Sequence, residues 1–240
     1  MKNYFALLAL IITGQMLNAQ SKAFNDFIIA ASSKTNPVTL VDNFKEFGGD
    51  DRFFSAEWVD GYVYPKNGDI ISNGFKFNYD FDEKTLYLKS SNKEVIAINM
   101  ISVKKFGLIN KSRDTVHFRK VYPVDNSYQN FYEVIGGNEE SEIGVFKMRN
   151  IEFRKADKNE YLRNFTGDYN GKYISTSKYF IYSKSKGVKQ TSSLSRKDLS
   201  AIFLEYKDNI PNTMRSKKKF SEQEVKIIFD SILNPLPKSI

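Results

Sequence analysis

The side chains that most often carry out covalent chemistry are scarce in this chain. Among its 240 residues there is no cysteine and one histidine, His117. The lack of cysteine removes disulfides, thiolate metal sites, iron–sulfur clusters and thiol nucleophiles. A lone histidine removes every multi-histidine metal site and any Ser-His-Asp triad not built on His117 itself. That residue lies in Thr115-Val116-His117-Phe118-Arg119. A period of two turns Val116 and Phe118 inward and leaves His117 facing water. A general base also needs an orienting carboxylate and a nucleophile, and no motif supplies either. His117 therefore reads as a surface histidine.

The carboxylates give the same answer. Asp80-Phe81-Asp82-Glu83 offers oxygen ligands but lacks the glycine and the remaining positions of a calcium loop, and it falls where a hairpin must turn. Gly48-Gly49-Asp50-Asp51 reads likewise, and Glu139-Glu140-Ser141-Glu142 reads as an acidic hairpin tip. No pair is marked out for glycoside hydrolysis. There is no G-x-S-x-G, P-loop, dinucleotide fingerprint or H-E-x-x-H. The chain is expected to be no enzyme and to hold no cofactor or metal.

Two groups are candidates for contact with a ligand or partner. Trp58, Tyr62 and Tyr64 share a parity and so one strand face, a possible stacking platform for a sugar or acyl chain. Core packing of sheet aromatics is the competing reading. The second group is basic. Removing the first nineteen residues takes away Lys2, and residues 20–155 then balance 19 Lys and Arg against 19 Asp and Glu. Residues 156–240 hold 16 against 9, with Arg215, Lys217, Lys218 and Lys219 the densest cluster. Such a cluster meets an anionic partner or simply water.

Lys2, the apolar run Tyr4 to Thr13 and the small residue Ala19 have the order of a secretory signal peptide over 1–19. The run is about half the roughly 20 apolar residues of a membrane span. The mature chain is expected to be soluble and periplasmic, and export disfavours nucleic acid as a partner. An exported chain without disulfides must draw its stability from a packed core.

The elements that position these residues change period twice. Phe24, Phe27, Ile28 and Ala31 predict a short helix, and Asn36-Pro37 followed by Leu40, Val41, Phe44 and Phe47 predicts a second, stopped at Gly48-Gly49. From Glu57 the period is two. Phe75, Phe77, Tyr79 and Phe81 alternate with Lys76, Asn78 and Asp80, which predicts a strand with one wet face. Further strands are expected at 57–64, 85–89, 94–99, 101–108, 114–122, 129–135, 143–149, 151–155, 172–176, 178–183 and 187–191, separated by polar and glycine-containing turns. The tail returns to helical spacing. Ser195 to Asp198 resembles a capping box ahead of Leu199, Ile202 and Phe203, and a short helix is expected within 207–216. Ser221 to Glu224 is a full capping box ahead of Val225, Ile228, Phe229 and Ile232.

The expected fold is mainly β (α+β): a curled antiparallel meander, half-barrel or barrel-like, with short N-terminal helices and a C-terminal helical segment packed on the sheet. The expected divisions are a helical segment over 20–50, a β domain over 51–193 and the helical segment over 194–240.

Trp58 to Val63, Asn73-Gly74 before Phe75 to Asp80, Val103 to Phe106, Phe131 to Val134, Ser177 to Tyr182 and Leu194 to Leu199 follow one another in an order that resembles a group of small exported cell-envelope proteins of Bacteroidota. The likeness runs from about Trp58 to Leu233. It implies periplasmic residence and carries over no catalytic residue. The function expected from all of this is a non-enzymatic binding or accessory module of the envelope, whose partner is an envelope protein or outer-membrane component. The alternative is a carrier that holds a lipid or lipoprotein acyl chain in a half-barrel.

Overall fold

The computed structural model describes residues 38–41, 51–66, 70–122, 124, 127, 130–137, 142–155 and 171–234. The expected signal peptide at 1–19, the helix at 21–31, the Gly48-Gly49 stop and the final Pro235 and Pro237 lie outside them. The fold is mainly β, with antiparallel meanders throughout and helices at the C-terminal end. By compactness the described chain divides into two units, one of residues 38–41 and 53–116, the other of 51–52 and 117–234.

The first unit contains β1 (Val38–Leu40), β2 (Gly61–Pro65), β3 (Phe75–Asp80), β4 (Thr85–Ser90), β5 (Val95–Ile98) and β6 (Val103–Ile109). Four of them form a sheet in the order β1-β5-β4-β3, while β2 pairs with β6. Register explains the core. Phe77 lies opposite Leu88, Tyr79 opposite Leu86, and these leucines in turn face Ile96 and Ile98. All six side chains share one face and all are buried. The Tyr79 ring also packs 5.1 Å from that of Phe106.

Two expectations fail here. The helix predicted over 37–47 is strand at Val38–Leu40, paired with β5, and Val41 N–H bonds to Val95 O at 3.0 Å. A β-branched Val-Thr pair beside an unfilled strand edge takes the ladder bonds, and the helical spacing of its apolar residues cannot compete. The second face of β3 is wet only at Lys76, which is exposed. Asn78 and Asp80 are fully buried. Asn78 Nδ2 donates to Ser55 O at 2.8 Å and to Glu57 O at 3.3 Å, fastening the 53–58 segment across that face. Asp80 Oδ1 accepts from the backbone N–H groups of Asp82 and Glu83, both at 2.9 Å, so its carboxylate builds the hairpin turn. The turns after β3, β4 and β6 share a feature: Lys84, Lys93 and Arg113 adopt left-handed φ of 52°, 66° and 65° where glycine would be unstrained.

The division between the units falls within β7 (Thr115–Arg119). The second unit continues with β8 (Tyr132–Gly136), β9 (Ile143–Arg154), β10 (Lys172–Ser183) and β11 (Gly187–Thr191), ordered β11-β10-β9-β8-β7. β9 and β10 are each one unbroken strand, not the two short strands expected in each place. Asn150 and Ser177 look like interruptions in sequence, but each has a partner on the opposite strand, and the ladder carries through both.

The helices α1 (Ser200–Glu205), α2 (Asn212–Arg215) and α3 (Glu222–Leu233) follow, with a 3-10 turn at Lys207–Asn209. The Ser221 box forms in full, with Ser221 Oγ accepting from Glu224 N–H and Glu224 accepting from Ser221 N–H. The box expected at Ser195 does not cap α1, whose N-cap is Leu199 with no side-chain bond. Ser195 and Asp198 instead close the turn ahead of it, Asp198 N–H donating to Ser195 Oγ and Asp198 Oδ2 accepting from that hydroxyl. The apolar stripes of α1 and α3 bury Ile202, Val225, Ile228 and Phe229 against Ile135, Val145 and Ile181 of the sheet. Gly136 makes this contact close, since a Cβ there would stand 2.4 Å from the Phe229 ring.

Candidate functional site

Tyr62 and Tyr64 alternate with buried Val63 on β2, so both rings lie on the face away from the core. They meet edge-on at 5.3 Å. Tyr62 lies over Gly107 of β6, its cross-strand neighbour, where a Cβ would come within 2.6 Å of the ring. Burial and then the neighbouring Tyr64 raise the Tyr62 phenol above its ordinary pKa. Lys105, opposite Tyr64, holds its ammonium 5.0 Å from the Tyr64 ring centre. Trp58 precedes β2, beyond the bridge between Val59 and Phe77, and has a cation of its own, with Lys89 Nζ 5.6 Å from the ring centre. The structure thus joins Tyr62 and Tyr64, pairs each of Tyr64 and Trp58 with a lysine, and places Trp58 outside the strand that carries the tyrosines.

The basic cluster separates into different tasks. Arg215 Nε donates to Ile210 O at 2.9 Å and its Nη2 to Asp208 O at 3.3 Å, closing the turn between α1 and α2. Lys217 pairs with Glu224 of the capping box, which lowers the pKa of that carboxyl. Lys218 and Lys219 are exposed, and their backbones support the junction instead. Lys218 O accepts from Arg196 N–H, and Lys219 bridges to Ser195. His117 is exposed between buried Val116 and Phe118.

A charged group that sequence reading did not single out lies where α3 meets the sheet. Glu133, Lys147 and Tyr179 are cross-strand neighbours on β8, β9 and β10. Lys147 Nζ is 2.8 Å from Glu222 Oε1 and 3.8 Å from Glu133 Oε2, and Arg149 Nη2 is 3.4 Å from the same Glu133 oxygen. Tyr179 donates to Glu222 Oε1 at 2.7 Å. Burial alone would raise the Glu222 pKa, but the bonds from Lys147 and Tyr179 outweigh it and hold the carboxyl below its ordinary value. Burial and the bond to Glu222 push the Tyr179 phenol up. The Lys147 ammonium lies between the two carboxylates and pairs with both. The arrangement orients the first turn of α3 over β9 and β10. One signal was available in sequence: Glu133 has the inward parity of Ile135.

Beyond this network β9 and β10 run on as a pair. β8 reaches β9 only as far as Lys147, and β11 reaches β10 only as far as Tyr179. The seven registers from Met148 with Lys178 to Arg154 with Lys172 therefore have no third strand beside them among the described residues. At about 3.4 Å per residue this ribbon is about 20 Å long. Phe153 is 47% exposed and meets Tyr173 at 5.1 Å, and Arg52 stacks 5.4 Å from the Tyr173 ring centre.

Among the described residues no three His, Cys, Asp or Glu side chains gather to hold a metal, and no helix is long and apolar enough to cross a membrane. No family model, curated protein or solved structure matches this chain.

Proposed function

We propose that this chain is a non-enzymatic binding or accessory module of the cell envelope, resident in the periplasm after export, whose partner is another envelope protein or outer-membrane component. The observation that carries the reading is the β9–β10 ribbon, a two-stranded extension that carries exposed Phe153 and the exposed Lys172 and Lys178. Polar side chains that gather in this unit are engaged in holding it together, as in the Glu222 network, the Ser195–Asp198 turn and the hold of Ser183 and Ser185 on Glu205. The carrier reading has less support, because the face of β8–β10 beneath α1 and α3 is filled by interlocked side chains.

The test places a photo-crosslinking residue at Phe153 and irradiates native envelope. A discrete crosslinked envelope component supports the proposal, and recovery of free monomer alone overturns it. N-terminal sequencing of the periplasmic fraction should begin at Gln20.

A further inference from the structure

Resting on that reading, we infer that the open edge of β10 between Lys172 and Lys178 takes up an extended acidic segment of a partner protein as an added strand. The ladder fixes which backbone groups of β10 face outward. Ser175 N–H points away from β9, since it donates to Asp51 Oδ2 at 3.3 Å. In an antiparallel ladder outward groups recur at every second residue. Tyr173 and Ser177 therefore also turn their N–H and C=O outward, in phase with Tyr179, Ile181 and Ser183, which β11 pairs. Past Tyr179 no strand among the described residues continues β11. Among the described residues the outward N–H and C=O groups of Tyr173 and Ser177, and the Ser175 carbonyl, have no backbone partner. A row of unpaired groups on an extended strand is a template for one more strand.

Charge selects the occupant. Lys172 and Lys178 sit on one face of the edge, both exposed, with Ile174 and Thr176 between them. A second copy pairing antiparallel about Ser175 would set Lys172 of each chain opposite Lys178 of the other, and like charges directly opposite are unfavourable. A segment with acidic residues six apart and β-branched residues between them meets both lysines and continues the apolar contact at Ile174. The Asp51 carboxylate already stands where the carbonyl of such a strand would accept, and Arg52 stacking on Tyr173 holds it there. Asp51 is thus a built-in competitor for the edge.

The test measures fluorescence anisotropy of a labelled seven-residue peptide, Glu at each end and alternating Thr and Val between, against the full mature chain at low salt. A peptide with Lys at each end is the comparison. The Glu peptide should bind more tightly than the Lys peptide by about tenfold, from two cross-strand ion pairs. Asp51→Ala should tighten it, and Lys172→Glu with Lys178→Glu should reverse the preference. Ser177→Pro removes an outward N–H while leaving the β9 ladder intact, and it should abolish binding. Equal binding of the two peptides overturns the inference, as does undiminished binding to Ser177→Pro or no binding even to Asp51→Ala. A dimer that Ser177→Pro dissolves also overturns it, because the occupant is then a second copy. Should Ser177→Pro misfold, the exposed lysine reversal still decides. A Phe153 crosslink without peptide binding removes strand addition and leaves the binding module standing. Peptide binding without a crosslinked partner upholds the edge and counts against the envelope assignment.

Discussion

Replacing Gly136 by alanine tests the placement of α3 on the sheet. The added Cβ would stand 2.4 and 2.5 Å from Cδ2 and Cγ of Phe229, a ring that is 2% exposed. Carbon atoms rest about 3.5–4.0 Å apart, so the ring or the strand must yield by about 1 Å. Phe229 is enclosed by Ile135, Val145, Ile202 and Ile232, and a shift of that size overpacks the cluster at a cost of about 1–3 kcal/mol. The backbone is not the obstacle, because Gly136 does not have positive φ. In a Phe229→Ala background, itself about 3–5 kcal/mol less stable, the same alanine meets open space. There it should be neutral or favourable by about 0.5–1 kcal/mol, the usual strand preference over glycine. The two substitutions should therefore couple by about 2 kcal/mol. Urea unfolding followed at 222 nm reports this unit, which holds every α-helix among the described residues. A cost below about 0.5 kcal/mol in the parent chain, or an equal cost in both backgrounds, would refute the reasoning.

Asp198→Asn should make stability less pH-dependent in acid. Burial raises this carboxyl, but bonds from Ser195, Lys189 and Ser193 outweigh it and bring its pKa down to about 2. Its contribution is complete above the unfolded value of about 4 and disappears as pH falls through the folded one, so parent and variant should differ at pH 6 and converge near pH 2 in acid titrations. Tyr179→Phe removes one donor from Glu222; it should cost about 1 kcal/mol and raise the Glu222 pKa read by carboxyl NMR. Asn78→Ala strips the bonds to Ser55 and Glu57, and should cost about 1–3 kcal/mol and open the 53–58 segment to limited proteolysis. Arg113→Gly relieves a left-handed residue and should stabilise the chain by about 1 kcal/mol in urea melts.

Local pattern was a good guide wherever neighbours agree with it. The alternation of Phe77 and Tyr79, the capping pair Ser221 and Glu224, and the inward pair Val116 and Phe118 are set by periods of two and 3.6 and by bonds between residues three apart. It misled where a distant segment supplies the decisive partner. Val38–Leu40 has helical spacing but joins the edge of β5, and Asn78 has wet-face parity but is covered by residues some twenty positions earlier. The candidate residues divide on the same line. The shared face of Tyr62 and Tyr64 follows from their spacing, whereas the occupation of Arg215 and Lys217 by Ile210 O and Glu224 depends on how the turns close.

Taken alone, the order of residues determined that this chain builds antiparallel strands followed by amphipathic helices and that thiol and multi-histidine chemistry are outside its means. Those are properties of composition and short-range periodicity, and they need no knowledge of what lies opposite. Only the tertiary structure decided that Glu133, Lys147, Tyr179 and Glu222 form one network, that Gly136 admits the Phe229 ring, and that β9 and β10 outrun their neighbours. Each of these depends on register between strands or on the seating of a helix over a sheet. Register is set by the summed packing of many side chains, and no single stretch of sequence contains that sum.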